Sequence, residues 1–369
     1  MNNNGQPLCS CPPRSIFGAF ILIDSQNNHR RLVDRFDREV DYLRISLTER
    51  CNFRCVYCMP AQGDPFSSNP ELLDWDEVAR AVTVFAARGV KKIRLTGGEP
   101  LVRADVPELI AKLKAIDGIE HVALTSNGFL LPRYARPLAE AGLDSLNLSI
   151  DSLDPERFRE ITRHGTLERV LEGMEAIKKA GVTNIKLNAV VVRDLNDDEV
   201  EDLVRFAASQ NVILRFIEVM PIGQDTVWGK DGRDACVSAR ELRQRLGETW
   251  DITPDRARYG AGPARYWRLL GQGLPSGGAI VGIISAVTEC FCENCNRLRM
   301  TATGGLRACL ADDHEIDLRE ILRSPLSHDD QAHLLSRAID KSLGEKKERH
   351  SFDLEAGGVT FKSMNAIGG

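Results

Sequence analysis

Three cysteines fall within one short run, Cys51-Asn52-Phe53-Arg54-Cys55-Val56-Tyr57-Cys58, and whatever this chain folds into must bring those thiols together. The intervals of three and then two residues place the thiolates close enough to ligate three irons of one cubane 4Fe–4S cluster, a group that cysteine thiolates hold. The motif carries no fourth cysteine, so one iron keeps an open position. Metal sites that only brace a fold are closed, whereas reactive ones leave a position free. Structural zinc is the competing reading, although such sites are built mostly from C-x2-C pairs that add up to four ligands.

A chain of 369 residues has room for two domains, or for one barrel with an appendage. Its 43% hydrophobic and 27% charged residues describe a globular protein with a large core. A net charge of −5 argues against general nucleic-acid binding, yet a local group of arginines could still take a phosphorylated small molecule. The cysteines are grouped, with Cys51, Cys55 and Cys58 in one cluster and Cys290, Cys292, Cys295 and Cys309 in another. Such spacing in a chain without an export signal points to metal rather than to disulfides. Residues 1–13 lack a basic region followed by a long apolar run, and Ile16–Ile23 is too short to span a membrane. A reducing cytoplasm is therefore the expected compartment. Residues 1–35 read as a variable leader, in which Cys9 and Cys11 take no role.

From Tyr42 onward, β-branched or Leu-rich runs alternate with segments of helical periodicity. The expected strands are Tyr42–Leu47, Lys92–Leu95, His121–Leu124, Ser145–Ile150, Asn184–Val192 and Val212–Val219. The expected helices are Trp75–Arg88, Val106–Ile116, Leu131–Ala141, Pro155–Ala180 and Asp197–Ser209. This alternation calls for a parallel sheet with crossover helices, in a partial barrel or a doubly wound sheet. The barrel is favoured because polar or glycine residues close one strand after another: Thr96-Gly97-Gly98-Glu99-Pro100, Thr125-Ser126-Asn127-Gly128, Ser149 with Asp151, Asn188, and Met220-Pro221. Barrel enzymes build their sites at those strand ends. The expected architecture is α/β: a partial (β/α)6 TIM-type barrel over 36–235, followed by a C-terminal part over 236–369 that carries the second cysteine group. In that second part a short strand is expected at Tyr266–Leu270 and a helix from Leu318 to Leu343.

The second cysteine group sets a C-x2-C pair, Cys292 and Cys295, before a distant Cys309. Zinc competes more seriously here, because Cys290 or His314 can complete a tetrahedron. Arg297 and Arg299 follow at once, and guanidinium forks suit phosphate, although an Arg-x-Arg pair by itself is more often a solvated surface feature.

The first cysteine motif resembles the signature of the radical S-adenosylmethionine (radical SAM) superfamily. Four features together narrow the likeness to the GTP 3',8-cyclase (molybdenum cofactor biosynthesis protein A) family. They are Leu43-Arg44-Ile45-Ser46 leading into Thr48-Glu49-Arg50-Cys51, the run Ile93 to Leu101 with its GGEP, the run Phe291 to Arg299, and the closing Gly368-Gly369. The resemblance runs from about residue 33 to the end. It implies that 236–369 is an iron–sulfur domain closing the barrel, and two 4Fe–4S clusters, one on Cys51, Cys55 and Cys58 and one on Cys292, Cys295 and Cys309. The first reduces S-adenosyl-L-methionine to give a 5'-deoxyadenosyl radical, and the open iron of the second binds the guanine of GTP.

By the same resemblance Tyr57, Gly98, Ser149 and Met220 hold adenosylmethionine. Arg44, Arg94, Thr125, Lys186, Arg297, Leu298 and Arg299 contact GTP, and Gly368 and Gly369 insert into the active site. The implied product is a cyclised dihydro-GTP, passed to the cyclic pyranopterin monophosphate synthase. A homodimer and an electron donor such as flavodoxin or ferredoxin are also implied. Cys290 departs from the pattern and competes with Cys292 for the second trio. The alternatives are a radical SAM enzyme acting on a peptide or tetrapyrrole precursor, an electron carrier, and a zinc-stabilised binding module. A carrier would ordinarily supply four cysteines per cluster.

Overall fold

Six apolar runs form parallel strands where the alternation placed them: β1 Tyr42–Ser46, β2 Lys92–Thr96, β3 His121–Ser126, β4 Ser145–Ser149, β5 Ile185–Val191 and β6 Ile213–Glu218. The computed structural model describes residues 31–63, 68–223, 226–227, 232–257, 259–350, 352 and 363–368. Cys9, Cys11 and Gly369 lie outside these residues. Helices α1 Trp75–Ala87, α2 Val106–Lys114, α3 Leu131–Glu140, α4 Pro155–Thr162, α5 Leu167–Lys179 and α6 Val200–Ser209 make the crossovers. Local chemistry sets their ends. The Asp74 carboxylate accepts from the Glu77 N–H at 2.7 Å, and Glu77 accepts from the Asp74 N–H at 2.8 Å, a reciprocal cap that fixes the start of α1.

Two expected helices are broken. Pro155–Ala180 divides between α4 and α5, where Arg163 has φ +60° and Gly165 donates its N–H to Thr162 Oγ1 at 2.9 Å. The break lets Arg163 Nη1 reach back to the carbonyls of Arg54 (2.8 Å) and Met59 (3.0 Å), which clamps the cysteine loop. The Leu318–Leu343 segment divides into α8 and α9 at Pro325, because proline cannot continue a helix.

The remaining elements are α7 Ala239–Thr249, β7 Asp251–Asp255, β8 Arg265–Leu270, β9 Ala279–Ile284, β10 Arg297–Met300, β11 Gly305–Arg307, β12 Ile316–Asp317, α8 Arg319–Leu322, α9 His328–Glu345 and α10 Met364–Ile367. Among the described residues all the strands join one twelve-stranded sheet, ordered β12-β11-β10-β1-β2-β3-β4-β5-β6-β9-β8-β7. The C-terminal part therefore extends the parallel run at both margins: β10 pairs in parallel with β1, and β9 with β6. Among the described residues the outermost strands β12 and β7 are not hydrogen-bonded to each other, so the α/β barrel is partial, as expected.

Alternation along the strands does the sorting. Leu43, Ile45, Ile93 and Leu95 are wholly buried in the core. The alternate residues, among them Tyr42, Arg44, Lys92 and Arg94, face the concave side. The chain before β1 is also packed. Leu32 is 1% exposed and belongs to the core, and Asp34 pairs with Arg38 at 2.6 Å.

Candidate active site

A cavity of about 670 Å³ runs the length of the concave face, lined from every strand of the parallel run, β10 and β9 included. Its two ends differ chemically. At the strand ends, Cys51, Cys55 and Cys58 border it together with Tyr57, Gly98, Ser149, Asp151 and Met220. The loop carrying the thiols is tied to the end of α4, where Arg54 N–H donates to Thr162 O (2.9 Å) and Val56 N–H to Ile161 O (3.0 Å). Phe53 anchors the loop edge-on against Phe129 and Phe158. The GGEP loop packs directly on it: Gly98 N–H donates to Thr48 O and Glu99 N–H to Arg50 O. A Cβ on Gly98 would meet the Arg50 carbonyl oxygen at 2.4 Å, so only glycine permits this approach.

Two buried carboxylates brace this end. Glu99 accepts from Ser126 Oγ (2.9 Å), Asn127 N–H (2.7 Å) and Leu101 N–H (3.1 Å), and burial lifts its pKa to about 7. Asp151 accepts from Tyr57 Oη (2.6 Å) and Val190 N–H (2.8 Å), and burial lifts it to about 6. Burial, then Asp151, keeps Tyr57 protonated well above its ordinary pKa. Tyr57 is thereby held as a donor to Asp151.

The other end is cationic. Arg44, Lys92, Arg94, Lys186, Arg215, Arg297 and Arg299 line the cavity, against only Asp151 and Glu218 for carboxylates among the described lining. Strand register makes the cluster: Arg299, Arg44 and Arg94 are direct neighbours across β10, β1 and β2. Arg94 Nε donates to Tyr42 Oη (2.5 Å), and Arg215 to Asn188 Oδ1 (2.6 Å). Thr125 Oγ1 takes a longer bond from Arg94, at 3.4 Å. Burial and the neighbouring Arg215 and Arg94 depress Lys186 to about 8, and burial lowers Arg215 to about 10. Burial alone would raise Tyr42, but Arg94 and Arg44 outweigh it and bring the phenol to about 7. Crowded, desolvated like charges of this kind are relieved by a polyanion.

The C-terminal tail enters between these ends. Gly368 O accepts from Arg299 Nη1 at 2.6 Å, and Asn365 Nδ2 donates to Glu49 O at 2.9 Å. Met364 and Asn365 line the cavity, and Ile367 is 1% exposed. Gly369 is outside the described residues.

The second trio stands behind the wall. Phe291 and Leu310, neighbours of Cys292 and Cys309, border the cavity, whereas the three thiols are not among its lining. Lys346 Nζ lies 3.5 Å from Cys295 Sγ. Burial alone would raise Cys295, but Arg297 and Lys346 bring it down to about 6. Leu298 does not reach the cavity: the alternation of β10 turns its side chain into the core, where it is fully buried. Any ligand contact from that position falls to its backbone.

No disulfide joins any of the described cysteines. Among the described residues, the trio of ligand groups drawn within 4.8 Å of one another is Cys290, Cys292 and His350. Neither Cys51, Cys55 and Cys58 nor Cys292, Cys295 and Cys309 is drawn that tightly. Ligands on one tetrahedral zinc stand about 3.3–3.8 Å apart, from bonds of about 2.0–2.3 Å. The donor chemistry of the two latter trios, three thiols apiece, suits a cluster of several irons. Burial, then Glu99, pushes Cys51 up to about 12, and burial, then Asp151, raises Cys55 well above the usual thiol range. Half-buried thiols held in the protonated form in this way ionise beside a metal cation, which fits ligands of a cluster.

The profile of the Radical SAM superfamily matches residues 45–207, and that of Molybdenum Cofactor Synthesis C matches 212–352. The GTP 3',8-cyclase of Pseudomonas putida is 42% identical over 344 residues, 93% of this chain and 100% of the relative. The chain belongs to the GTP 3',8-cyclase family. The family's GTP 3',8-cyclase from Heliobacterium modesticaldum is 42% identical over 339 residues, covering 92% of this chain and all of that one. GTP 3',8-cyclase 1 of Pseudomonas aeruginosa is 43% identical, covering 91% and 99%. The crystal structure of Streptococcus suis SuiB bound to S-adenosylmethionine shares the fold, with a TM-score of 0.56 at 14% identity over 80% of this chain and 66% of that one.

Sequence reading misses Lys92, Arg215 and Tyr42, and it places Glu99 and Asp151 at the strand ends without their bracing role. Lys92 and Arg215 sit in register with residues it had singled out or noted, Lys92 two positions before Arg94 and Arg215 opposite Asn188. Strand periodicity carried forward from Arg94 and Asn188 would have found both.

Proposed function

We propose that this chain is a radical SAM GTP 3',8-cyclase of the lyase class. It converts GTP to (8S)-3',8-cyclo-7,8-dihydroguanosine 5'-triphosphate, the first step of molybdenum cofactor biosynthesis. The observation that carries this reading is a single cavity with three cluster-type thiols at one end and converging arginines and lysines at the other.

Cys51, Cys55 and Cys58 would hold a 4Fe–4S cluster, which with S-adenosyl-L-methionine supplies the radical chemistry. Around it, Gly98 keeps a backbone surface free of any Cβ, and Ser149 and Met220 wall the adenosylmethionine pocket. Asp151 and Val190 fix the Tyr57 side of that pocket through a continuous set of hydrogen bonds. Arg44, Arg94, Lys186 and Thr125, joined by Lys92 and Arg215, would take the triphosphate. Guanidinium forks and ammoniums in a desolvated cleft bind such an anion far more strongly than they would in water. Arg297 and Arg299 stand between that site and Cys292, Cys295 and Cys309, which would hold a second 4Fe–4S cluster facing the guanine. Arg299 also fixes the tail through Gly368, so Gly368 and Gly369 would close the cavity and exclude water during the reaction.

We also propose the division into a barrel of 36–235 and an auxiliary-cluster domain of 236–369, a homodimer in the cytoplasm, and reduction by a flavodoxin or ferredoxin. The cyclic pyranopterin monophosphate synthase would take the product. The test is anaerobic reconstitution with iron and sulfide, followed by adenosylmethionine, a reductant and GTP deuterated at C3'. Deuterium should appear in 5'-deoxyadenosine, together with a cyclised product of unchanged mass formula. If 5'-deoxyadenosine forms equally without GTP and carries no deuterium, the reading fails.

A further inference from the structure

We propose that Cys290, Cys292 and His350 form a site for one divalent cation of the zinc class, and that a cation bound there competes with the auxiliary cluster for Cys292. The ligand atoms of these three residues lie within 4.8 Å of one another before any ion is present, close to the spacing that one tetrahedral ion imposes. Two thiolates and an imidazole are a favoured zinc donor set, with the fourth position left to water. The competition limb rests on the assignment of Cys292 to the auxiliary trio; the site itself does not.

Three further observations mark the site as built. His350 Nε2 is buried with no hydrogen-bond partner, an unusual state for a ring nitrogen away from water. Phe352 N–H donates to Nδ1 at 3.3 Å, so Nε2 is the nitrogen left over. A cation there moves the ring proton to Nδ1 and gives up that long contact. The backbone also aims at the sulfurs: Cys292 N–H lies 3.5 Å from Cys290 Sγ, and His350 N–H lies 3.4 Å from Cys292 Sγ. Amide donors of this kind stabilise thiolates.

Finally, one buried guanidinium clamps the two segments that supply the ligands. Arg38 donates to Cys292 O (2.8 Å), Glu348 O (2.9 Å) and Lys347 O (2.7 Å), and is itself held by Asp34 at 2.6 Å. The chain thus pays beforehand the ordering entropy of bringing residue 350 to residues 290–292. Cys290 gains a role that the cyclase chemistry does not give it.

The experiment uses the full chain, stripped of metal, with Cys51, Cys55 and Cys58 replaced by Ala to silence the first trio. Anaerobic titration with Co(II) should give thiolate-to-metal charge transfer and tetrahedral ligand-field bands at one ion per chain. The same bands should persist in a Cys295→Ala variant. Cys290→Ala and His350→Ala should each weaken binding by at least about ten-fold, and His350→Cys should restore it with a more sulfur-rich spectrum. The restoring variant keeps the test decisive should His350→Ala not fold. Unchanged binding in Cys290→Ala together with an unchanged spectrum in His350→Cys, or loss of the bands in Cys295→Ala alone, would overturn the site and place the ion in the other trio.

For the competition, chain with all its cysteines is reconstituted with iron and sulfide with and without prior Zn(II). Iron should fall from about eight to about four per chain in the native sequence and stay near eight in Cys290→Ala. If zinc leaves iron uptake unchanged while Co(II) binds as described, competition is refuted and the site stands. Iron that never exceeds about four, even without zinc, instead refutes the auxiliary cluster.

Discussion

Gly368→Ala separates a docked tail from one that merely lies near the cavity. Gly368 has φ +68° and ψ +61°, a left-handed conformation that costs a residue with a Cβ about 1–2 kcal/mol. The new Cβ would also sit 3.1 Å from both Ser46 Cβ and Thr96 Cγ2. These are short side chains on neighbouring strands, with little freedom to yield, and overpacking of that kind costs about 1–3 kcal/mol. The total penalty is about 2–5 kcal/mol. Against it stand the Arg299 bond to Gly368 O, worth about 1.5–3 kcal/mol as a charge-assisted bond, and the burial of Ile367, worth about 1.5–3 kcal/mol. Even at its lower bound that penalty shifts the docking equilibrium about thirty-fold. Hydrogen–deuterium exchange resolved on the C-terminal peptide should accelerate by about that factor, with the thermal midpoint of the rest of the protein unmoved. Acceleration below about three-fold would refute the docked geometry.

Gly98→Ala drives a Cβ into the Arg50 carbonyl at 2.4 Å. Displacing the cysteine loop should cut turnover about hundred-fold and reduce adenosylmethionine retention in equilibrium dialysis; retention within two-fold of the native protein would contradict the packing. GTP affinity should decline as the pH rises from about 7 past 8, because Tyr42, brought to about 7 by Arg94 and Arg44, becomes anionic, and Lys186, depressed to about 8 by burial and neighbouring cations, loses the proton with which it meets the triphosphate. Calorimetry in buffers of different ionisation enthalpy should record proton uptake on binding near pH 8.5, and Lys186→Met should reduce it. Arg38→Ala leaves the Asp34 side chain, 0% exposed, without its partner, and should cost about 3–5 kcal/mol in chemical denaturation. Asp34→Ala combined with Arg38→Ala should recover part of that loss. A single-variant loss below about 1 kcal/mol would show that the clamp carries little.

The barrel half was legible because each of its strands is a short β-branched run bounded by polar or glycine residues, and its helices keep one apolar face. The thiol loop and the GGEP loop were legible as motifs. What the sequence hid was pairing at long range. β9 and β10 are short and lie among glycines and metal-type cysteines, so their local pattern does not show that they complete the parallel run beside β6 and β1. Arg38 looks like any surface arginine until Cys292 and Glu348 are brought to it. The breaks after Thr162 and at Pro325 are tertiary in origin or need proline to be weighed against an otherwise helical period. Leu298 sits in the midst of a recognisable motif, yet strand alternation turns it away from the cavity that Arg297 and Arg299 face.

Tyr42 finds its neighbour Arg297 only after some two hundred and fifty intervening residues have been made. Until then the nascent barrel carries bare backbone donors and acceptors along both β1 and β6, the condition under which unfinished sheets stick to one another. Waiting for such remote partners is slow. Synthesis of this protein thus passes through a stage when its unfinished flanks are open to strangers, and the last stretch of polypeptide ends that exposure as well as completing the catalytic vault.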